Sequence, residues 1–311
     1  MTVTSEQTSV TSADIESRDV LRDLYADWSQ IMAATPDLGI RLLRSLFDEW
    51  HQPTVEPQGV TYREDTVGGV PGIWCLPEGA DTSKVLLYTH GGGFAVGSAS
   101  SHRKLAAHVA KALGSVSFVL DYRRAPEFGH PAQIEDGVSA FEALVASDIA
   151  PQDITTVGDS AGGNLAIAIA LALKAQGKHG PGSVIAFSPW LDMENTGETL
   201  VTNNDTDALI TPELLEGMIA GVLGDSVDPK TPLAKPLYAD FTGFPRLYVT
   251  AAGSVESLLD NAARLAERAQ AAGVDVTLSI GEGQQHVYPF LAGRSALVAQ
   301  EFETLAAWYR N

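Results

Sequence analysis

The stretch Thr156-Val157-Gly158-Asp159-Ser160-Ala161-Gly162-Gly163-Asn164 constrains this chain more than any other. It writes G-x-S-x-G between a β-branched run, Ile154 to Val157, and an alanine-rich segment carrying Leu165, Ile167, Ile169 and Leu171. A strand ending there must reverse into a helix within a residue or two. Glycines at 158 and 162 suit that reversal, because side chains on either would meet neighbouring backbone. The pattern predicts a strand over 154–157, a buried helix after it, and a serine hydroxyl held out at the top of a sheet. Ser160 is therefore the candidate nucleophile.

A second glycine cluster, His90-Gly91-Gly92-Gly93-Phe94, follows the apolar run Val85 to Tyr88. Acyl transfer from a serine builds negative charge on a carbonyl oxygen, and unhindered backbone N–H groups are the natural donors to hold it. Gly92 and Gly93 are candidates for that role, with Ala161 a third at the positive end of the helix following the serine. Strand-like runs at Val85, Ser117, Ile154, Val184, Leu247 and Val276 alternate with helical patterns, which predicts one mostly parallel sheet with helices on both faces. With 311 residues, 45% of them apolar, the chain can bury a sizeable core, and no linker or repeat divides it.

Two runs stand outside the alternation. One is Val20 to Trp50, with Leu21, Leu24, Tyr25, Trp28, Ile31 and Met32 at helical spacing and Leu42, Leu43, Leu46 and Phe47 continuing it; the other is Gly197 to Tyr238. Both read as cap material, although the first stripe serves equally as ordinary core. The expected division is a disordered arm over 1–17, a helical cap over 18–55, and a sheet domain over 56–311 with a cap insertion at about 197–238.

Several motifs in order resemble the hormone-sensitive-lipase-like branch of the α/β-hydrolases, a group of carboxylesterases and lactone hydrolases. They are His90 to Gly93, Asp121-Tyr122-Arg123-Arg124-Ala125-Pro126-Glu127, Pro131-Ala132 with Glu135-Asp136, Gly158 to Leu165, and Ser188-Pro189-Trp190-Leu191-Asp192. The resemblance runs from about residue 60 onward and implies an α/β-hydrolase fold with a helical cap. It also implies a triad in the order nucleophile, acid, histidine. Only His179 and His286 follow Ser160; His179 lies in a polar turn, whereas His286 follows the strand-like Val276 to Ile280 and opens His286-Val287-Tyr288, which fits the family's H-x-[FY]. For the acid, Glu256 and Asp260 compete, and the family pattern G-x-x-[DE]-x-L selects Glu256 between Gly253 and Leu258. Asp260 then falls at the start of a helix, where a carboxylate suits the positive end. Asp159 reads as a structural residue of the turn, and His90 as an anchor of its loop through a side-chain hydrogen bond.

The resemblance implies a serine hydrolase acting on esters or lactones of small to medium apolar substrates through an acyl-enzyme. The Gly253 to Asp260 and Gln285 to Tyr288 stretches look closest to the subgroup with monoterpene ε-lactone hydrolases. Amide cleavage on the same triad is one alternative. A non-catalytic ligand-binding protein is another, since plant gibberellin receptors resemble this family without its histidine. A net charge of −19 argues against nucleic acid and anionic membrane as partners, which leaves a small-molecule substrate and, as an open assembly state, a homodimer. The single cysteine, Cys75, sits in the strand-like Gly72 to Pro77 and cannot form an internal disulfide, and the first residues carry no signal-peptide pattern, so a cytoplasmic location is expected. No metal-ligand spacing, phosphate loop or dinucleotide motif is present, and no cofactor is expected.

Overall fold

The computed structural model describes residues 12–224, 227–231 and 233–311, with side chains from residue 18 onward. The expected arm over 1–17 lies outside the described residues as far as residue 11, and the backbone is helical from Ser12. Helices α1 (Ser12–Ala34) and α2 (Ile40–Phe47) come first, followed by strands β1 (Val60–Val67) and β2 (Val70–Pro77). Gly68 and Gly69 join the two strands with φ of 61° and 79°, the left-handed pair that a two-residue hairpin turn requires. Then β3 (Asp81–Thr89), α3 (Ala99–Leu113), β4 (Ser115–Leu120), α4 (Ala132–Ala146), β5 (Ile154–Asp159), α5 (Ala161–Ala175) and β6 (Ser183–Phe187) alternate. The insertion carries α6 (Thr199–Thr202) and α7 (Pro212–Leu223), and β7 (Arg246–Ala251), α8 (Leu259–Ala271), β8 (Val276–Ile280) and α9 (Ala296–Arg310) complete the chain.

The strands form one sheet of eight in the order β1-β2-β4-β3-β5-β6-β7-β8. β2 pairs antiparallel with both β1 and β4, and all neighbours from β4 to β8 are parallel. The six strands expected from the sequence are all here. The hairpin is the addition: β2 was visible only as the segment around Cys75, and β1 was not, because its largely exposed V-T-Y-R-E-D-T-V carries too little apolar signal. Parallel strands need crossovers that cover both faces, and β4, β5 and β6 are accordingly buried at every position.

β3 decides where the site lies. The chain leaves β3 for β4 on one side, then crosses back over β3 to reach β5 on the other. α3 packs with α9, and α4 with α5, so the reversal opens a crevice at the carboxyl ends of β3 and β5. The H-G-G-G segment leaves β3 there, and Ser160 follows β5. Among the described residues no helix is long and apolar enough to cross a membrane.

Candidate active site

Ser160 sits between β5 and α5 at φ 52° and ψ −121°, the tight reversal foreseen from its flanking glycines. A Cβ on Gly158 would stand 2.2 Å from the Gly162 carbonyl oxygen, and one on Gly162 would stand 2.0 Å from that of Thr89. The space between the elbow and β3 therefore admits no side chain at either position. Thr89 Oγ1 donates to the Gly162 carbonyl at 2.8 Å, and the Ser160 amide donates to Phe187 at 2.9 Å, which fixes the turn against the strands on both sides.

His286 reaches this point from the loop after β8. Its Nδ1 lies 2.6 Å from Glu256 Oε1, with both side chains buried, and the second Glu256 oxygen accepts from the Ala252 amide at 2.5 Å. A carboxylate on Nδ1 leaves Nε2 as the free basic nitrogen. Nε2 is buried without a partner, and His286 and Ser160 line the same pocket. Burial alone would lower the imidazole pKa, but the hydrogen bond and charge of Glu256, with the charges of Asp207 and Asp159, outweigh it and leave the pKa raised. Surrounding contacts hold the loop in a strained turn: Val287, a β-branched residue, sits at φ 51°, and its amide donates to Ser188 Oγ at 3.1 Å.

Gly92 and Gly93 line the pocket opposite, at φ 111° and 58°. A Cβ on Gly92 would meet the Val96 carbonyl oxygen at 2.3 Å, and one on Gly93 would meet Met218 Cγ at 2.6 Å. Ala161, fully buried, offers the first amide of α5 directly after the serine. The remaining walls are apolar: Phe47 and Trp50 from the N-terminal part, Trp190 after β6, and Leu209, Ile210, Leu214, Leu215 and Met218 from the insertion. Both segments proposed as caps thus contribute to the pocket.

Residues set aside on sequence grounds lie apart from this chemistry. Asp260 accepts from the Glu198 amide at 2.8 Å and serves the insertion, His179 is exposed, and Cys75 is a buried strand residue. Asp159 is wholly buried, accepts from Tyr88 Oη at 2.8 Å and lies 3.3 Å from His102 Nε2. A Cβ on Gly91 would come within 2.3 Å of Asp159 Oδ2, so this carboxylate packs the elbow against the H-G-G-G loop. His90 donates through Nδ1 to the Gly91 carbonyl at 2.8 Å and stacks on Tyr122 at 4.2 Å between centroids. Burial, and then the neighbouring His102, lower its pKa and keep it neutral.

Sequence reasoning missed three supports. Tyr25 of α1 donates to the His286 carbonyl at 3.0 Å, His102 faces Asp159, and Asp207 sits buried in the insertion. Tyr25 was visible only as one member of an apolar stripe, His102 only as a polar residue in an unremarked segment, and Asp207 only as one polar residue of the expected cap insertion.

A family model described as the alpha/beta hydrolase fold matches residues 86–290. Among solved structures, an esterase from the bacterial hormone-sensitive lipase family superposes with a TM-score of 0.89 at 36% identity, covering 95% of this chain and 97% of that one. This chain belongs to the hormone-sensitive-lipase-like esterase family of α/β-hydrolases. Its curated relatives include an acetyl-hydrolase of Streptomyces hygroscopicus, 35% identical across 82% of this chain and 90% of the relative. An esterase of Acinetobacter venetianus is 34% identical, with coverage of 79% and 81%. The family membership accounts for the elbow, the H-G-G-G loop and the order of the three candidate residues within one fold.

Proposed function

We propose that this hydrolase cleaves carboxylic esters, and lactones by the same steps, on small to medium apolar substrates through a Ser160 acyl-enzyme. The observation that carries the reading is the 2.6 Å Glu256–His286 pair, whose free Nε2 is buried in an apolar pocket with Ser160, Gly92 and Gly93. His286 Nε2 takes the Ser160 proton as Oγ attacks the carbonyl carbon, and Glu256 stabilises the imidazolium. The oxyanion accepts from the amides of Gly92, Gly93 and Ala161. His286 then protonates the departing alkoxide, and water attacks the acyl-enzyme by the same route to release the acid. No step calls for a cofactor.

Two features support the substrate class. Among the described residues, the walls around Ser160 carry no charged side chain other than the triad's own, which suits an uncharged acyl group. The relatives include acetyl-hydrolases, and the Gly253 to Asp260 and Gln285 to Tyr288 stretches resemble those of lactone hydrolases. The test is a panel of p-nitrophenyl esters, lactones and an anilide, assayed with the wild-type protein and Ser160→Ala. Turnover of esters or lactones that Ser160→Ala abolishes supports the reading. A protein that cleaves only the anilide would be an amidase, and one that binds these compounds without turnover would be a ligand-binding member of the fold.

A further inference from the structure

We propose that Asp207, in the insertion, is a positioning residue for the Glu256–His286 pair, a second buried carboxylate that holds both loops in place and acts on the base through its charge. The inference rests on the serine-hydrolase reading above. Asp207 is buried, with every hydrogen bond it accepts coming from backbone: Oδ1 from Leu209 at 3.0 Å and Ile210 at 2.9 Å, Oδ2 from Ser257 at 2.8 Å. Ser257 is the residue after Glu256. Around it, Asn203 Nδ2 donates to the Glu256 carbonyl at 2.9 Å and Thr206 Oγ1 to that of Val255 at 3.1 Å. Gln285, the residue before His286, accepts from the Ala208 amide at 2.9 Å and donates to the Thr206 carbonyl at 3.2 Å. The segment 203–210 therefore grips the acid loop and the base loop together, with Asp207 at its centre.

Among the described residues, three N–H donors and no acceptor for a carboxyl proton match an ionised carboxylate, because only that form accepts at both oxygens without leaving a buried proton unbonded. Burial pushes the Asp207 pKa up, and the His286 charge and these amides oppose it. A buried charge of this sign favours the imidazolium. Glu256 meets His286 at Nδ1, Ser160 shares its pocket, the Tyr25 hydroxyl of α1 bonds its carbonyl, and the negative charges of Asp207 in the insertion and Asp159 in the elbow act on it through space. Leu209 and Ile210, bonded to the same carboxylate, are pocket walls, so one side chain links the acyl site to the base.

The experiment measures pH profiles of kcat/KM on p-nitrophenyl acetate for wild type, Asp207→Asn, Asp207→Ser and Gln285→Leu, with active sites counted by a p-nitrophenyl phosphonate that labels Ser160. In the two Asp207 variants the acid limb should move to lower pH by roughly half a unit or more, since a lost negative charge lowers the imidazole pKa. Their kcat per labelled site should fall roughly tenfold, with KM changed less. Gln285→Leu removes clamp bonds and no charge, so its acid limb should stay with wild type. An unmoved limb in both Asp207 variants, or a loss confined to the number of labelled sites, overturns the proposal. If neither variant folds, Asp207 is a residue of the fold alone, and the proposal falls. A wild type that turns over no ester overturns the serine-hydrolase reading itself, and this inference with it.

Discussion

At Glu256, two oxygens have two separate tasks, one on His286 Nδ1 and one on the Ala252 amide. Glu256→Gln would place an amide N–H against one of these N–H groups, so kcat should fall by about 10² or more while the fold survives. Asp260→Asn removes a charge but keeps an oxygen that can accept from the Glu198 amide, and should change kcat less than about threefold, within the ordinary effect of one weakened, partly exposed hydrogen bond. Steady-state kinetics on one activated ester compare them, and a more damaging Asp260→Asn would reverse the assignment. The raised pKa of His286 has two consequences. Catalysis needs the neutral imidazole, so the acid limb of kcat/KM should lie above the ordinary histidine value of about 6.5. A folded pKa above the unfolded one contributes stability that is fully present below the unfolded value and is lost as pH rises through the folded one. Thermal melts of Ser160→Ala should therefore show a His286-dependent fall in Tm over that interval, absent once His286→Ala is added; identical pH dependence in both proteins would count against the shift. Ser160 was legible from local sequence because its geometry depends on residues within three positions. His286 was a candidate through fold-imposed order and Glu256 through the family pattern G-x-x-[DE]-x-L, and Asp207 was not legible, because its bond to Ser257 joins residues 50 positions apart and leaves no periodic trace.

The N-terminal helix illustrates what periodicity can and cannot tell at the scale of an element. Its stripe turns Leu21, Tyr25 and Trp28 wholly inward, while Val20 and Ile31 are exposed by 40% and 43% and Leu42 of α2 by 63%. Helical spacing located the element, but the polar tip of Tyr25 decides its relation to the chemistry. Its hydroxyl donates to the His286 carbonyl and accepts from Trp50 Nε1 at 3.1 Å. Tyr25→Phe leaves both buried partners unsatisfied, which should cost about 1–3 kcal/mol in urea denaturation. If α1 also braces the base, kcat should fall severalfold with KM little altered; an unchanged kcat beside the lost stability would make α1 core and nothing more. Helix α7 meets the site differently. Met218 fills the space where a Gly93 side chain would stand, against the H-G-G-G loop. Met218→Ala should open that corner, so kcat/KM on octanoate relative to acetate p-nitrophenyl esters should rise by about tenfold, as expected for the binding of several added methylenes. A ratio that stays put would move the acyl limit elsewhere in the pocket. The parallel strands from the second half of β3 to β7 announced themselves as apolar runs because both faces are covered, the edge strand β8 showed through its apolar positions although it is only partly buried, and the exposed β1 stayed silent for want of such positions.

Across the whole molecule, 39 acidic residues against 20 Lys and Arg set up a negative field that reaches beyond any one contact. An anionic ester approaching the pocket should be repelled, and added salt should relieve that repulsion. Its kcat/KM should rise with ionic strength, roughly severalfold between about 10 mM and about 0.5 M salt, while a neutral ester of the same leaving group holds nearly level. Parallel salt responses for both esters would show that the field at the pocket mouth is weak. The order of strands carries a consequence of another kind. The candidate nucleophile and its base are separated by 126 positions, from Ser160 to His286, and the candidate acid enters between them from the loop after a different strand, β7. A chain folded only through β6 would already own its elbow and H-G-G-G loop, yet its serine would be an ordinary alcohol. On the proposed triad, the serine gains its base and acid only from the loops that follow β7 and β8, so any state of the chain in which those two strands are undocked should fail to attack an ester.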